Sequence, residues 1–398
     1  MNTPNGWSRA SIAYCSNVHP GETLDQVTSN IHTHIHAVRQ SRGIDSMASG
    51  LWLSAAAASQ LQHGDRLQAF RQALDSTSIQ LTSLNGFPYG DFHQQRIKQQ
   101  VYQPDWADSE RVQYTIQLAD ILAHCLPDDA EFGAISTLPL GYASSWDENK
   151  QQHAINNLCH VADQLHAIEQ RSGKHIVLCI EMEPDCVLEA TNVLVEFFSR
   201  HLITDNQRRH IGVCYDVCHQ AVMHENIADS LQAILDAGII IGKVQLSSAM
   251  NVEMNHADRQ QTLSILRTFC EPRYLHQLKT RDHHSTLHSV ADLESIFQSS
   301  AENTLPIDSN WLIHFHVPIH VEQLLDEHIR TTQKQITQVF DFFRQRSERP
   351  LLEVETYTWS ALPEALRPAD EQALIAGISN ELLWVEQQLQ HRSLLADT

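Results

Sequence analysis

Residues His175–Asp216 read HIVLCIEMEPDCVLEATNVLVEFFSRHLITDNQRRHIGVCYD. Two short apolar runs, HIVLCIE (175–181) and HIGVCYD (210–216), each close on an acid and enclose a stretch with apolar residues at helical spacing, Val187–Leu202. Runs that are apolar throughout, rather than at alternate positions, suit strands covered on both faces, as in a parallel sheet. Strand, helix and parallel strand make a right-handed βα unit.

The same signature recurs on either side of this unit. SIAYCS (11–16), GLWLS (50–54), IQLTSL (79–84), FGAIST (132–137), IIIGKVQL (239–246) and LLEVE (351–355) bring the candidate strands to the eight that close a (β/α)8 TIM barrel. Helices are expected over Asp108–Leu126, which starts acidic, and over Asn226–Ala237, closed by Gly238. Residues 247–350 separate the last two runs and read as an elaborated insertion before the last strand. It holds two strand-like pieces, Arg273–Leu278 and Asn310–Ile319, and then a helix over Val321–Arg346. Residues 369–398 read as a C-terminal helical extension, its helix at Ala369–His391, packed on the barrel or on a second subunit of a homo-oligomer. The chain 1–398 is therefore expected to be one enlarged barrel, although about 150 residues per domain would allow more units.

The composition excludes several roles. With 27 Lys+Arg against 48 Asp+Glu the formal charge is −21, and 25 histidines stand outside that count. Such a surface repels phosphate backbones, so no nucleic acid is expected as a general partner. No run approaches the roughly 18 apolar residues of a membrane span, and the first residues lack a charged segment leading into an apolar one. The eight cysteines are scattered, as expected of buried free thiols in a cytoplasmic protein.

In a (β/α)8 barrel the chemistry sits at the C-terminal ends of the strands. The fifth to eighth runs place Glu181, Asp216, Gln245 and Glu355 there. Four oxygen donors at equivalent depth suit a divalent metal, with Mn²⁺ or Mg²⁺ favoured and Zn²⁺ an option. His219 follows Asp216 by nearly one helical turn, and Glu183 lies in the loop after Glu181. In IHFHVPIH, a strand would put His314 and His316 on one face, and His316 is the stronger candidate. The loop LNGFPYGDFH supplies Asn85, Phe87 and His93 as substrate contacts beside Tyr89 and Phe92, and ETYTW adds Tyr357.

The pieces IVLCIE, VCYDVCH, GKVQL and LLEVE resemble the ligand series of the xylose-isomerase-like, or endonuclease IV-like, TIM-barrel superfamily. That resemblance implies Glu181, Asp216, Gln245 and Glu355 as metal ligands and His219 as a contact to substrate or a second metal. Over nearly the whole chain, YCSNVHPGET, LNGFPYGDFH, VYQPDWADSERVQYT, STLPLG, EMEPDC, IGVCYDVCHQAV, KVQLSSAM, YLHQ, HFHVPI and ETYTW resemble the metabolite traffic protein EboE family. This implies a barrel protein of a secondary-metabolite or cyclitol-type pathway linked to export. The chain departs from the DNA-repair branch, which has histidine where Gln245 stands and an Asp-x-His pair for which HFHVPIH is the nearest counterpart.

The functional expectation is a metal-dependent isomerase or epimerase of a sugar or cyclitol, with Glu181 and Glu355 exchanging a proton and His219 steadying the substrate. Two alternatives stand beside it. One is a non-catalytic protein that binds the metabolite, and the other is a zinc phosphodiesterase.

Overall fold

The computed structural model describes residues 6–94, 96–299 and 305–396. Gln95, residues 1–5 of the N-terminal segment, 300–304 of the insertion and 397–398 of the C-terminal extension lie outside the described residues. Eight parallel strands form the barrel wall: β1 (Ile12–Tyr14), β2 (Met47–Trp52), β3 (Ile79–Asn85), β4 (Gly133–Thr137), β5 (Ile176–Glu181), β6 (Ile211–Asp216), β7 (Ile241–Leu246) and β13 (Leu351–Val354). They lie in the order β1-β13-β7-β6-β5-β4-β3-β2, and a Cys15–Gly50 bridge brings β1 against β2. The expected (β/α)8 TIM barrel is thus present, nearly closed. Every residue of β1, β2 and β4 to β7 is buried, which is why those runs carry no polar alternation.

Local chemistry sets the helix ends. Asn226 caps helix Ile227–Asp236 by accepting from Asp229 N–H, and Gly238 follows at φ +67°, where a side chain would be strained. The C-terminal helix, Glu371–His391, docks within the chain. Its Glu386 pairs with Arg9 and Arg42 at 2.7 Å each. Among the described residues no helix is long and apolar enough to cross a membrane.

The insertion differs from its expected form. It builds a second, antiparallel sheet from β8 (Met250–Val252), β9 (Leu278–Arg281), β10 (Leu287–Val290), β11 (Trp311–Ile313) and β12 (Ile329–Thr331), in the order β10-β9-β11-β8-β12. The expected strand Arg273–Leu278 is irregular up to Leu278, where β9 begins. The expected strand Asn310–Ile319 stops at Ile313, so His314 and His316 follow a strand instead of alternating along one. The expected helix Val321–Arg346 forms only over Gln333–Phe343. The segment before it is drawn into β12, which pairs with β8 and leaves no backbone for an earlier helical start.

Inside the barrel the parallel register sets Asp216 beside Gln245 and Gln245 beside Glu353, whereas Glu181 stands beside Cys214. The barrel interior is polar where layers of branched apolar side chains are usual. Lys243 and Glu353, both fully buried, pair at 2.7 Å, with Ser136 Oγ 3.2 Å from the ammonium and Ser83 donating to the carboxylate. Gly50 makes room for this pair, because a Cβ there would lie 1.8 Å from Glu353 Oε2.

Candidate functional site

A cleft opens at the C-terminal ends of the barrel strands. Its polar lining is Asn17, Asn85, Lys98, Glu181, Glu183, His219, His314, His316 and Glu355, and its aromatic walls include Phe87, Phe92, Tyr102, Tyr274 and Tyr357.

Asp216 ends β6 and caps the short helix Val217–Val222. Its Oδ1 accepts from His219 N–H at 3.0 Å and from the Ser247 hydroxyl at 2.7 Å, while buried Oδ2 has no partner among the described residues. The Asp-x-x-His spacing therefore works through the backbone: the cap starts the helix whose first turn carries His219. The His219 ring reaches the Met182 carbonyl with Nδ1 at 2.9 Å. A carbonyl only accepts, so Nδ1 carries the hydrogen and Nε2 presents its lone pair.

His314 and His316 obey the same rule. His314 Nδ1 lies 2.7 Å from Gln277 Oε1, and the Gln277 amide nitrogen donates to the Pro184 carbonyl, which fixes the amide's sense. His316 Nδ1 lies 2.7 Å from the Glu355 carbonyl. The free Nε2 of His314 lies between the other two, 3.1 Å from that of His219 and 3.3 Å from that of His316. Lone pairs this close repel unless a cation lies among them. Ligand bonds of about 2.0–2.1 Å in a tetrahedral site put neighbouring nitrogens about 3.3 Å apart. Burial disfavours the imidazolium form, holding His314 well below its ordinary value and His316 at about 4, so protons are poor candidates for that cation near pH 7.

Acids flank the trio. His316 Nε2 stands 4.0 Å from Asp216 Oδ2, and His314 Nδ1 stands 3.8 Å from Glu183 Oε1, which accepts from the Tyr102 hydroxyl at 2.8 Å. Glu355, just past β13, has Oε1 held by the amides of Asn17 and Asn85 at 2.8 and 2.9 Å. Glu181 leaves Oε1 buried and without a partner among the described residues. Both carboxyls lie well above the usual carboxylate range. Burial is the main cause, and the neighbouring acids Glu355 and Asp216 for Glu181, and Asp216 for Glu355, add to it.

The structure thus gathers Glu181, Glu183, His219, His316, Glu355, Asn85, Phe87 and Tyr357 around one cleft. Gln245 does not line it: its Oε1 lies 3.1 Å from the Cys214 thiol and its Nε2 is unpaired among the described residues. His93 stands behind the wall, with Nε2 on the Asn17 carbonyl at 2.9 Å and its ring against Trp52 and Phe92. Sequence reasoning ranked His314 below His316 and did not select Asn17, Tyr102 or Gln277. Asn17 directly follows the run SIAYCS (11–16), three residues past the end of β1, and could have been found by extending the strand-end rule into the loop. Gln277 carried no such signal.

The buried groups predict a pH dependence of stability. Burial pushes Glu183 and Glu381 up to about 7, from an ordinary 4.5. Each keeps its proton only in the fold, so the stability it contributes is full below pH 4.5 and is lost as pH rises through 7. His93 and His316, ordinarily 6.5, are pushed down to about 4, and their contribution is lost only as pH falls below 6.5. Between about pH 6.5 and 8 the carboxyls act alone. The melting temperature of chelator-treated protein should therefore fall across that window. A flat or rising profile in differential scanning calorimetry would contradict it.

No family model and no curated protein matches the chain. Solved structures do. A xylose isomerase-like TIM-barrel protein from Mycobacterium smegmatis in complex with magnesium matches at 12% identity and TM-score 0.49, over 96% of this chain and 99% of that one. IolI protein with a bound zinc atom matches at 11% identity and TM-score 0.48, over 94% and 98%. A 3-keto-D-glucoside 4-epimerase from E. coli matches at 12% and 0.38, over 59% and 78%. At these values the likeness concerns the barrel, and the chemistry of the cleft rests on this chain's own residues.

Proposed function

We propose that the chain is a divalent-cation-dependent isomerase or epimerase of a small polar metabolite, a sugar or cyclitol with a carbonyl beside a hydroxyl. The observation that carries this reading is the pairing of two buried acids, Glu181 and Glu355, with three histidine rings in one cleft. β5 and β13 are separated by β6 and β7 on one side of the wall and by β1 to β4 on the other, so the two acids approach a substrate from different directions.

The orphaned oxygens of Glu181 and Asp216 and the three imidazole nitrogens fit a cation, with the Glu355 carboxyl lining the same cleft. Nitrogen donors favour Zn²⁺ or another borderline ion such as Fe²⁺ or Ni²⁺ over Mg²⁺ and Mn²⁺. When bound, the ion supplies Lewis acidity at a carbonyl oxygen. The protein supplies the rest. With Oε1 pinned by Asn17 and Asn85, Glu355 offers Oε2 to a carbon-bound proton, and Glu181 returns a proton on the other side. Raised carboxyl pKa values suit this exchange near neutral pH. Phe87, Tyr102 and Tyr357 stack on the C–H faces of the substrate and exclude water. The long motif resemblance supports a place in an Ebo-type secondary-metabolite pathway.

Elemental analysis of protein purified without chelator tests the reading. Bound divalent metal is expected, and less of it in Glu181→Ala and Glu355→Ala. No metal, together with unchanged metabolite affinity in both variants, would refute the enzyme and leave a binding protein. The histidine trio also favours a second reading, phosphodiester hydrolysis with more than one cation. Cleavage of bis(p-nitrophenyl) phosphate by the zinc-loaded chain would establish it, against the repulsion of a −21 surface.

A further inference from the structure

The long helix Glu148–Ser172 carries His166 and Glu169 three residues apart, on one face, near the start of β6. There His210 ends the helix Asp205–His210 and is fully buried. His210 Nδ1 lies 3.1 Å from the Ile176 carbonyl, so Nδ1 carries the hydrogen and Nε2 the lone pair. That buried Nε2 has no hydrogen-bond partner among the described residues and stands 3.4 Å from Glu169 Oε2. A nitrogen lone pair facing a carboxylate oxygen calls for a positive charge between them. The exposed His166 adds a third donor, and the ligand atoms of the three residues all lie within 4.8 Å of one another.

We propose that His166, Glu169 and His210 form a second cation site, separate from the cleft, that takes Zn²⁺ or a similar borderline ion through two imidazole nitrogens and one carboxylate oxygen. Three protein ligands leave a fourth position for water. The Ile176 carbonyl orients His210, as outer hydrogen bonds orient metal-binding histidines generally. Arg209 holds both oxygens of Glu169, one of them at 2.9 Å. It fixes the carboxylate and leaves the outer lone pairs to the ion, at some cost in affinity. The site lies at the opposite end of β6 from Asp216, about 20 Å away at ~3.3 Å per residue. Barrel residues at that end serve stability, so the ion would clamp the long helix to the base of β6.

The test is a Zn²⁺ titration of the chelator-treated full chain, with stoichiometry from calorimetry and elemental analysis. Wild type, His166→Ala and the cleft variant His219→Ala/His316→Ala are compared. His166→Ala should lose about one equivalent of Zn²⁺ and part of the zinc-induced rise in melting temperature. His166→Cys should restore both. The cleft variant should keep this equivalent, so failure of the cleft reading and failure of this one are distinguishable. If His166→Ala binds as many equivalents as wild type, with affinities within about twofold, the site is refuted. Because His166 is exposed, that comparison stands even if the cleft variant does not fold.

Discussion

Glu355→Gln is expected to leave the fold intact and to lower turnover about 10²–10⁴-fold, the usual contribution of a positioned acid–base group. The substitution preserves shape. A glutamine Oε1 still accepts from Asn17 and Asn85, the two donors that fix the carboxyl at 2.8 and 2.9 Å. What disappears is an oxygen that can take up and release a proton. The loss should fall on kcat, with KM little changed, since binding is shared with the aromatic walls and with Asn17 and Asn85. Exchange of a carbon-bound substrate hydrogen with solvent deuterium, followed by NMR on a panel of sugars and cyclitols, measures the step itself. Exchange at the wild-type rate in Glu355→Gln would remove Glu355 from the chemistry.

Lys243→Met is expected to destabilise the barrel by about 3–5 kcal/mol, the typical cost of leaving one member of a buried ion pair uncompensated. The ammonium and Glu353 are 2.7 Å apart and out of reach of water, so the carboxylate left behind has Ser83 as its remaining hydrogen-bond donor among the described residues. Gly50 prevents an easy retreat, because the Glu353 carboxyl already occupies the space a Cβ there would fill. In Lys243→Met/Glu353→Gln neither charge remains, and most of the loss should be recovered. Denaturant midpoints of the three proteins decide the matter. A double variant no more stable than Lys243→Met would sink the ion-pair account. The same substitution should raise the carboxyl pKa values of Glu181 and Glu355 further, since the Lys243 charge draws both down.

Much of the barrel was legible along the chain. Its strands are buried on both faces, so HIVLCIE and HIGVCYD show as unbroken apolar runs, and the residue that ends each run marks the mouth. Asp216 and Glu181 show in this way, and Asn17 lies one residue past the run SIAYCS. The second sheet was less legible. β8, β11 and β12 are three residues long, too short for a period to show, and they pair across wide gaps in sequence. Reading HFHVPI as a strand put His314 and His316 on one face for the wrong reason. Their rings turn inward because Gln277 and the Glu355 carbonyl hold their Nδ1 atoms.

Strand order along the chain, the acids at the strand ends and the net charge of −21 are properties of local pattern and composition, and the sequence alone determined them. Tertiary structure alone decided which side chains meet and in which protonation state. His219 and His314 are 95 residues apart, and His316 and the Glu355 carbonyl are 39 apart. The tautomer of each histidine depends on an acceptor that the folded chain brings to it. The same holds for Gln245, placed beside Asp216 by the register and met there by the Cys214 thiol. Hydrophobic periodicity is written into neighbouring residues, whereas a lone pair acquires its direction only when distant parts of the chain close around it.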